Sequence, residues 1–170
     1  MRPFTVEDAP AMYERWASDP EVTECLTWQP HDSVEVSRAY LAALVAKYDR
    51  ADYFDWAIEL RGVGVIGSIS VVGYREETEA AEVGYCLSRA YWGQGIMPEA
   101  LRAVIDFLFD EVGARRIAAR HDAANPKSGR VMAKAGMKYE GTLRGAGYNN
   151  RGIIDEVCYG MLREDRERSK

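Results

Sequence analysis

The sequence predicts a mixed α/β fold of the α+β type, formed by a single domain over residues 1–170, and three observations lead to this prediction. Two segments with helical spacing come first. Three consecutive segments then alternate apolar and polar residues, as antiparallel strands with one buried face do. A long amphipathic helix follows, and after it come a strand, a short helix and two more strands. Segments of both kinds in this order favour a sheet that is flanked by helices.

The N-terminal part predicts two helices. Thr5 and the acidic residues at positions 7 and 8 suit a helix N-terminus, and Asp19-Pro20 ends this first helix. A loop follows, and Ser33 then opens a second helix. The second helix carries apolar and aromatic residues at near-helical spacing, namely Val36, Tyr40, Leu44 and Tyr48.

Three strands come next, predicted over residues 53–60, 63–72 and 79–88. The connections between them are short, so the three strands are expected to form an antiparallel meander. Alternation along the third strand gives it two different faces. One face carries Val83, Tyr85 and Leu87, and the other carries Glu82, Gly84 and Cys86.

The clearest helix pattern covers residues 96–112, with Pro98 in its first turn and Gly113 just past its end. A strand is predicted over residues 115–121. A short helix is then predicted over residues 125–136, with Asn125 as its cap.

The C-terminal part predicts a pair of strands. These cover residues 137–144 and 153–162, and a glycine-rich link over residues 145–152 joins them. The charged residues 164–170 are expected to form a frayed tail.

Composition excludes several classes of function. A net charge of −5 and a pI near 5.2 disfavour a nucleic-acid partner, which usually meets a basic surface. The three cysteines are widely spaced, and the two histidines do not lie at metal-ligand spacing, so neither a disulfide framework nor a metal is expected. The sequence also lacks a signal peptide and a long apolar stretch. It therefore predicts a cytoplasmic protein that has no membrane partner.

Gly93 and Gly95 stand between a predicted strand and the start of the long helix. The first N–H groups of a helix have no intrahelical partner, and glycine lets a phosphate approach them closely. The stretch does not continue as G-x-G-x-x-G, and no G-x-x-x-x-G-K-[ST] run exists, so the Rossmann and Walker nucleotide sites are excluded. An anion site remains, with a plain strand-to-helix turn as the alternative.

Four segments together resemble the GNAT family of N-acetyltransferases, most closely the branch of ribosomal-protein N-terminal alanine and serine acetyltransferases. The segments are A-E-V-G-Y-C-L, Y-W-G-Q-G-I-M-P-E-A-L, N-P-K-S-G-R-V-M-A-K-A-G-M-K-Y-E-G and D-E-V-C-Y-G-M-L, and the likeness covers about residues 2–163. The resemblance implies the GNAT fold, with a mostly antiparallel sheet that splays between strands 79–88 and 115–121. It also implies acetyl-CoA as the cosubstrate.

The resemblance further implies which residues bind acetyl-CoA. Backbone amides of the glycine loop would hold the pyrophosphate, and strand 79–88 and Asn125 would hold the pantetheine arm. Ala90 stands where the family usually has a basic residue, so Arg89 or Arg130 is expected to replace it. The predicted cofactor-binding residues are Leu87, Ser88, Arg89, Trp92, Gly93, Gln94, Gly95, Ile96, Met97, Asn125, Ser128 and Arg130.

Acetyl transfer to an amine requires a base, a group that stabilises the oxyanion, and a group that stabilises the departing thiolate. Glu82 is the expected base, directly or through a water, and His121 is the alternative. A backbone N–H near Cys86 or Leu87 is expected at the oxyanion. Many relatives place a tyrosine near the thiolate where this chain has Met132, so Ser128 is expected to take that role. Cys86 is interpreted as a small buried apolar residue rather than a nucleophile.

The acceptor is expected to be a primary amine, either a protein N-terminus or a small molecule, which attacks the thioester directly in a ternary complex. Aromatic and polar residues on three segments are candidates for its binding site: Trp28, His31, Trp56, Tyr148 and Asn149. The link at 145–152 lacks an acid that some ribosomal-protein enzymes carry there, so the resemblance does not predict that this chain shares their substrate. A catalytically weak CoA-binding sensor or interaction module is the alternative function, and a monomer or a homodimer is expected.

Overall fold

The computed structural model describes residues 1–167, and within them the chain forms a mixed sheet with the order β1-β2-β3-β4-β6-β5. The neighbouring strands are antiparallel except for β3 and β4. The strands are β1 (Asp55–Leu60), β2 (Gly64–Arg75), β3 (Ala80–Leu87), β4 (Arg116–Asp122), β5 (Lys138–Asn149) and β6 (Gly152–Leu162).

The helices are α1 (Ala9–Met12), α2 (Pro20–Thr23), α3 (Val34–Val45), α4 (Ile96–Asp110), α5 (Pro126–Lys134) and α6 (Arg163–Glu167). The first predicted helix is not uniform. It begins with a 3₁₀ turn at Val6–Asp8 and ends in a π-helical turn at Tyr13–Ala17, with α1 between them. Pro20 also begins α2, because Asp19 caps that short helix by accepting the Glu21 N–H.

Apolar residues on each face of the sheet bury a separate core. The α4 face packs against α4 and α5, and an apolar stripe along α4 is buried there, formed by Met97, Leu101, Val104 and Leu108. The α3 face packs against the N-terminal helices, with Trp16 and Leu41 fully buried between them and the sheet. The two faces therefore carry different elements on either side of the same strands.

The parallel pair β3–β4 is short. Its partners run only from Ala80↔Arg116 to Glu82↔Ala118, whereas β4 pairs with β6 along its whole length. Beyond Glu82 the two strands separate, and this splay confirms the predicted GNAT-type sheet. It leaves a gap whose narrow end lies at Glu82.

Two predictions about the C-terminal part are wrong. The link at 145–152 is mostly strand, because β5 continues to Asn149 and β6 starts at Gly152. A register shift between Leu143 and Gly147 absorbs the glycines without ending the pairing. Arg163–Glu167 is a helix rather than a frayed tail, since Arg166 pairs with Asp110 at 2.6 Å. Residues 168–170 of the predicted tail lie outside the described residues.

The second strand is also longer than predicted. It runs to Arg75 rather than to residue 72, because a bulge between Val71 and Gly73 lets the strand continue past the predicted end.

None of the helices between residues 1 and 167 is long and apolar enough to cross a bilayer.

Candidate active site

The glycine loop joins the end of β3 to the start of α4. Gly93 and Gly95 have φ of 77° and 82°, in the left-handed region that favours glycine. A Cβ built on either residue meets no protein atom within 4 Å, so the loop surface is open. No group within residues 1–167 accepts a hydrogen bond from the backbone N–H groups of Gly93 through Met97. These free donors, at the positive end of a 15-residue helix, fit a diphosphate.

Three positive side chains lie near this loop or on the helix that packs beside it. Arg89 donates to Asp19 at 3.0 Å and also pairs with Glu21, so its guanidinium is engaged at the N-terminus of α2. Lys127 instead lies over the Trp92 ring, with Nζ 4.8 Å from the centroid. The predicted Arg130 lies one turn further along α5 and is exposed.

The backbone of β3 presents alternate residues to the gap. Ser88 donates its N–H to Ile66 of β2 at 2.8 Å, so Ser88 and Cys86 direct their backbone groups toward β2. Tyr85 and Leu87 then direct their N–H groups toward the gap. The N–H groups of Ser88 and Cys86 are therefore turned away from a ligand in the gap, and of the two positions predicted for the oxyanion donor the geometry favours Leu87. The Leu87 N–H remains a candidate donor to a ligand in the gap. The Leu87 carbonyl already accepts from the Trp92 indole at 2.7 Å.

Glu82 lies at the narrow end of the gap, on the α3 face of the sheet. Its side chain is 35% exposed, and Oε1 lies 3.4 Å from Nε of Arg120. Arg120 donates more closely to Glu156, at 2.9 Å. No group within residues 1–167 makes a hydrogen bond to the Glu82 carboxylate, so its lone pairs stay available to a ligand. The carboxylate opens on a cavity of about 390 Å³, whose charged lining residues are Arg75, Glu82, Arg116, Arg120 and Glu140.

Ser128 lies on the other side of the gap, in the first turn of α5. Asn125 caps this helix as predicted, with its side-chain oxygen 3.4 Å from the Ser128 nitrogen. The Ser128 hydroxyl faces Tyr85, whose phenolic oxygen is 3.0 Å away. Met132 is only 1% exposed, so it is part of the core and does not face the gap.

His121, the alternative base, does not lie with Glu82. Its side chain is on the α4 face, where Nδ1 donates to the Asp122 carbonyl at 2.8 Å. The ring packs against α5 at Gly129, where a Cβ would come within 2.6 Å of Nε2. The glycine inside α5 is thus required by the histidine ring.

Cys86 lies on the α3 face with its sulfur 3.2 Å from the Ser68 hydroxyl. Burial raises the pKa of the Cys86 thiol to about 11. The thiol therefore stays protonated at neutral pH, which agrees with its interpretation as an inert residue.

The predicted acceptor residues lie in three separate environments. Trp28 and His31 are neighbours, with ring centroids 5.3 Å apart, on the α3 face. Trp56 is on the opposite face, where it packs edge-on against Phe107 of α4, so the structure does not bring it together with them.

The last two predicted acceptor residues lie at the tip of the β5–β6 hairpin. Tyr148 is 67% exposed, whereas Asn149 is only 2% exposed and donates to Asp122 at 2.9 Å. Asn149 is therefore a brace inside the hairpin rather than a surface that an acceptor touches. The next residue, Asn150, ties the tip to the N-terminal loop by donating to the carbonyls of Thr23 and Trp28, at 2.9 and 2.7 Å.

Comparison with known proteins decides the family. Residues 1–138 match the acetyltransferase (GNAT) domain. The chain belongs to this family. As a GNAT acetyltransferase it takes an acetyl group from acetyl-CoA, which is its cosubstrate.

Relatives of this GNAT acetyltransferase agree over nearly the whole chain. The uncharacterized N-acetyltransferase YoaA of Bacillus subtilis is 28% identical over 164 residues, which are 96% of this chain and 92% of YoaA. The ribosomal-protein-S5-alanine acetyltransferase from Vibrio fischeri is 25% identical with a TM-score of 0.84, covering 96% of this chain and 92% of that one. A ribosomal L7/L12 alpha-N-protein acetyltransferase in complex with coenzyme A shares the fold, with a TM-score of 0.84 at 23% identity over 95% of this chain and 92% of that one.

Sequence reasoning missed two residues that lie beside the predicted site residues. The pattern of β3 predicts that Tyr85 shares a face with Val83 and Leu87, and it gives no sign that the Tyr85 hydroxyl reaches α5. Lys127 was visible in the N-P-K-S motif, which sets a lysine in the first turn of the helix after the gap. Its approach to the glycine loop depends on how α5 packs against the loop, which the motif does not contain.

Proposed function

We propose that the protein transfers the acetyl group of acetyl-CoA to a primary amine, a protein N-terminal α-amine or a small-molecule amine, by direct attack in a ternary complex. One observation carries the proposal. The β3–β4 pair ends at Glu82, so a carboxylate without a hydrogen bond stands at the narrow end of the gap, across the sheet from Ser128. An amine and a thioester that meet there have a base on one side and a hydroxyl on the other.

Binding of acetyl-CoA follows from backbone donors. The free N–H groups of residues 93–97 hold the diphosphate, and the gap-facing groups of Tyr85 and Leu87 pair with the amides of the pantetheine arm. Asn125 donates a side-chain N–H to the same arm while its side-chain oxygen accepts from the Ser128 N–H and caps α5. The thioester is thereby positioned between Glu82 and Ser128.

The acceptor reaches the thioester from the α3 face, because the cosubstrate fills the gap from the α4 face. Glu82 takes a proton from the attacking amine, directly or through one water. Arg120 keeps that carboxylate in place by an ion pair and leaves its lone pairs free. His121 lies on the opposite face and is engaged by a carbonyl, so it is the weaker candidate for the base.

The tetrahedral intermediate then collapses. The N–H of Tyr85 or Leu87 donates to the oxyanion, because these two groups face the gap. The carbon–sulfur bond breaks, the sulfur keeps the electron pair, and the Ser128 hydroxyl donates a hydrogen bond to the thiolate. No covalent enzyme intermediate is required, in agreement with the protonated thiol of Cys86.

Turnover with a panel of amines tests the proposal. Purified protein and acetyl-CoA are mixed with peptides that have free N-termini, with polyamines and with aminosugars, and thiol release is followed. We expect one of these amine classes to be acetylated. Binding of coenzyme A without thiol release from any amine would contradict the proposed activity and favour a CoA-binding sensor.

Glu82→Gln tests the assignment of the base. We expect turnover to fall by about 100-fold while CoA affinity stays unchanged, since the amide cannot take a proton. Glu59→Gln is the matched control, because Glu59 is also a strand glutamate that is paired with an arginine, at 3.1 Å from Arg2. Equal turnover in the Glu82 variant and the control would remove Glu82 from this role.

A further inference from the structure

One side chain reaches across the gap, from β3 on one side to α5, the helix that follows β4, on the other. The Tyr85 phenolic oxygen lies 3.0 Å from the Ser128 hydroxyl and 3.1 Å from the Ser128 carbonyl. Tyr85 extends from the splayed part of β3, and Ser128 belongs to the helix that follows β4. The contact therefore joins the two sides of the gap beside the predicted position of the thioester.

The hydroxyl protons of Tyr85 and Ser128 can be arranged so that one of them points into the gap. Tyr85 and Ser128 each carry one hydroxyl proton, and the Ser128 carbonyl also accepts the N–H four residues further along α5. The carbonyl thus stays bonded if the Tyr85 proton turns to the Ser128 hydroxyl oxygen. The Ser128 proton is then directed away from Tyr85 and can point at a ligand atom in the gap.

Burial keeps the Tyr85 hydroxyl protonated, so that it can act as a hydrogen-bond donor. Desolvation raises the pKa of the Tyr85 phenol, so the hydroxyl remains protonated at neutral pH. The first turn of α5 is also fixed from a second side, because the His121 ring packs against Gly129 next to Ser128. Ser128 is therefore positioned by its contact with Tyr85 on one side and by the packing of His121 against the neighbouring Gly129 on another.

We propose that Tyr85 is a positioning residue that donates to the Ser128 oxygen and so aims the Ser128 proton at the sulfur of coenzyme A. The inference rests on the proposed function. As the carbon–sulfur bond breaks, the sulfur takes the electron pair and accepts a hydrogen bond from Ser128. The Tyr85 hydrogen bond strengthens that donor, because hydrogen bonds in a chain polarise one another. Both side chains keep their protons through the step.

Ionisation of bound coenzyme A provides a readout that does not need an acceptor. The thiolate absorbs in the ultraviolet, so a pH titration of the protein–CoA complex reports the pH at which the bound thiol ionises. We expect Ser128→Ala to move this transition to higher pH and Tyr85→Phe to move it in the same direction by a smaller amount. The double variant should behave like Ser128→Ala alone, since Tyr85 acts through Ser128.

Turnover gives the second readout. Tyr85→Phe should lower kcat by about fivefold and leave KM for acetyl-CoA unchanged. The matched control is Tyr139→Phe, because the Tyr139 hydroxyl also bonds a hydroxyl, that of Thr142, at 3.0 Å, but at the exposed surface. This control should retain both the kcat and the thiol transition of the unsubstituted protein.

Three results would overturn the inference. An unchanged thiol transition in Tyr85→Phe would show that the phenol does not act on the sulfur through Ser128. Effects of the two substitutions that add in the double variant would show that they act independently. Failure of the unsubstituted protein to bind coenzyme A would instead overturn the proposed function, and this inference with it.

Discussion

The α4 face and the α3 face of the sheet present different chemical groups to the same gap, backbone donors on the first and side chains on the second. On the α4 face, free backbone N–H groups of residues 93–97 and the capped start of α5 form the proposed site for acetyl-CoA. On the α3 face, the proposed acceptor site is formed by side chains that bond to distant segments, such as Glu82 with Arg120 and Asn150 with the backbone carbonyl of Trp28. Backbone donors suit one fixed cosubstrate, whereas side-chain pairs can change with the acceptor. The difference explains why the cosubstrate is settled by the family and the acceptor is not.

The largest expected effect tests the backbone site. Gly95→Val forces a β-branched residue to φ of 82° and puts its side chain where the diphosphate must approach. We expect CoA affinity, measured by calorimetry, to fall by at least about 100-fold. Gly113→Val is the matched control, with φ of 81° and equally open surroundings at the other end of α4. It should lose stability but keep CoA affinity, and equal losses of affinity would contradict the backbone site.

The next effect concerns a buried carboxyl group on the α3 face. Asp55 is 8% exposed, Oδ1 has no hydrogen bond from residues 1–167, and burial raises its pKa to about 7. The folded protein holds this proton up to about pH 7, whereas the unfolded chain releases it near pH 3.8. Folding therefore takes up a proton between these values, and stability falls as the pH rises through this range.

Asp55→Asn should remove that decline. Urea unfolding at pH 5 and pH 7 should show a loss of about 2 kcal/mol in the unsubstituted protein that is absent in the variant. Asp52→Asn is the control, because Asp52 is exposed and paired with Arg50, and should leave the decline in place. A decline of the same size in Asp55→Asn would show that another group causes it.

The connection between the hairpin tip and the N-terminal loop tests the side-chain site. Asn150→Ala removes two hydrogen bonds to backbone carbonyls, and we expect KM for the acceptor to rise by about tenfold with CoA affinity unchanged. Gln94→Ala is the reciprocal variant, since its side chain bonds the Ala90 carbonyl within the glycine loop, at 3.0 Å. It should change CoA affinity and leave the acceptor KM alone. If both variants changed both constants, the two faces would not be separate sites.

The smallest expected effect distinguishes two cations near the loop. Lys127→Ala should weaken CoA binding by about fivefold, and less at high salt, because it removes an exposed charge near the phosphates. Arg89→Ala should leave CoA affinity unchanged, since Arg89 is already paired with Asp19 and Glu21. The reverse result would restore Arg89 as the substitute for the basic residue that is absent at Ala90.

Local patterns in the sequence determined most of the fold. The α4 stripe, the Asn125 cap and the three-strand meander follow from periodicity and from residues with strong backbone preferences. The glycine loop is local as well, because five free N–H groups in a row need only a strand, glycines and a helix start. The error at residues 145–152 has the opposite cause, since pairing with β6 overrode the weak strand preference of the glycines.

The tertiary structure decided which predicted site residues meet. The sequence predicted Glu82 as the base with His121 as the alternative, and strand alternation with the β3–β4 register puts the two on opposite faces of the sheet. Tyr85 reaches Ser128 across the gap, although 43 residues separate them in the chain. The sequence by itself determined most of the elements and the form of the glycine loop, because those depend on neighbours along the chain. Contacts between side chains depend on register and packing, and only the folded chain brings those together.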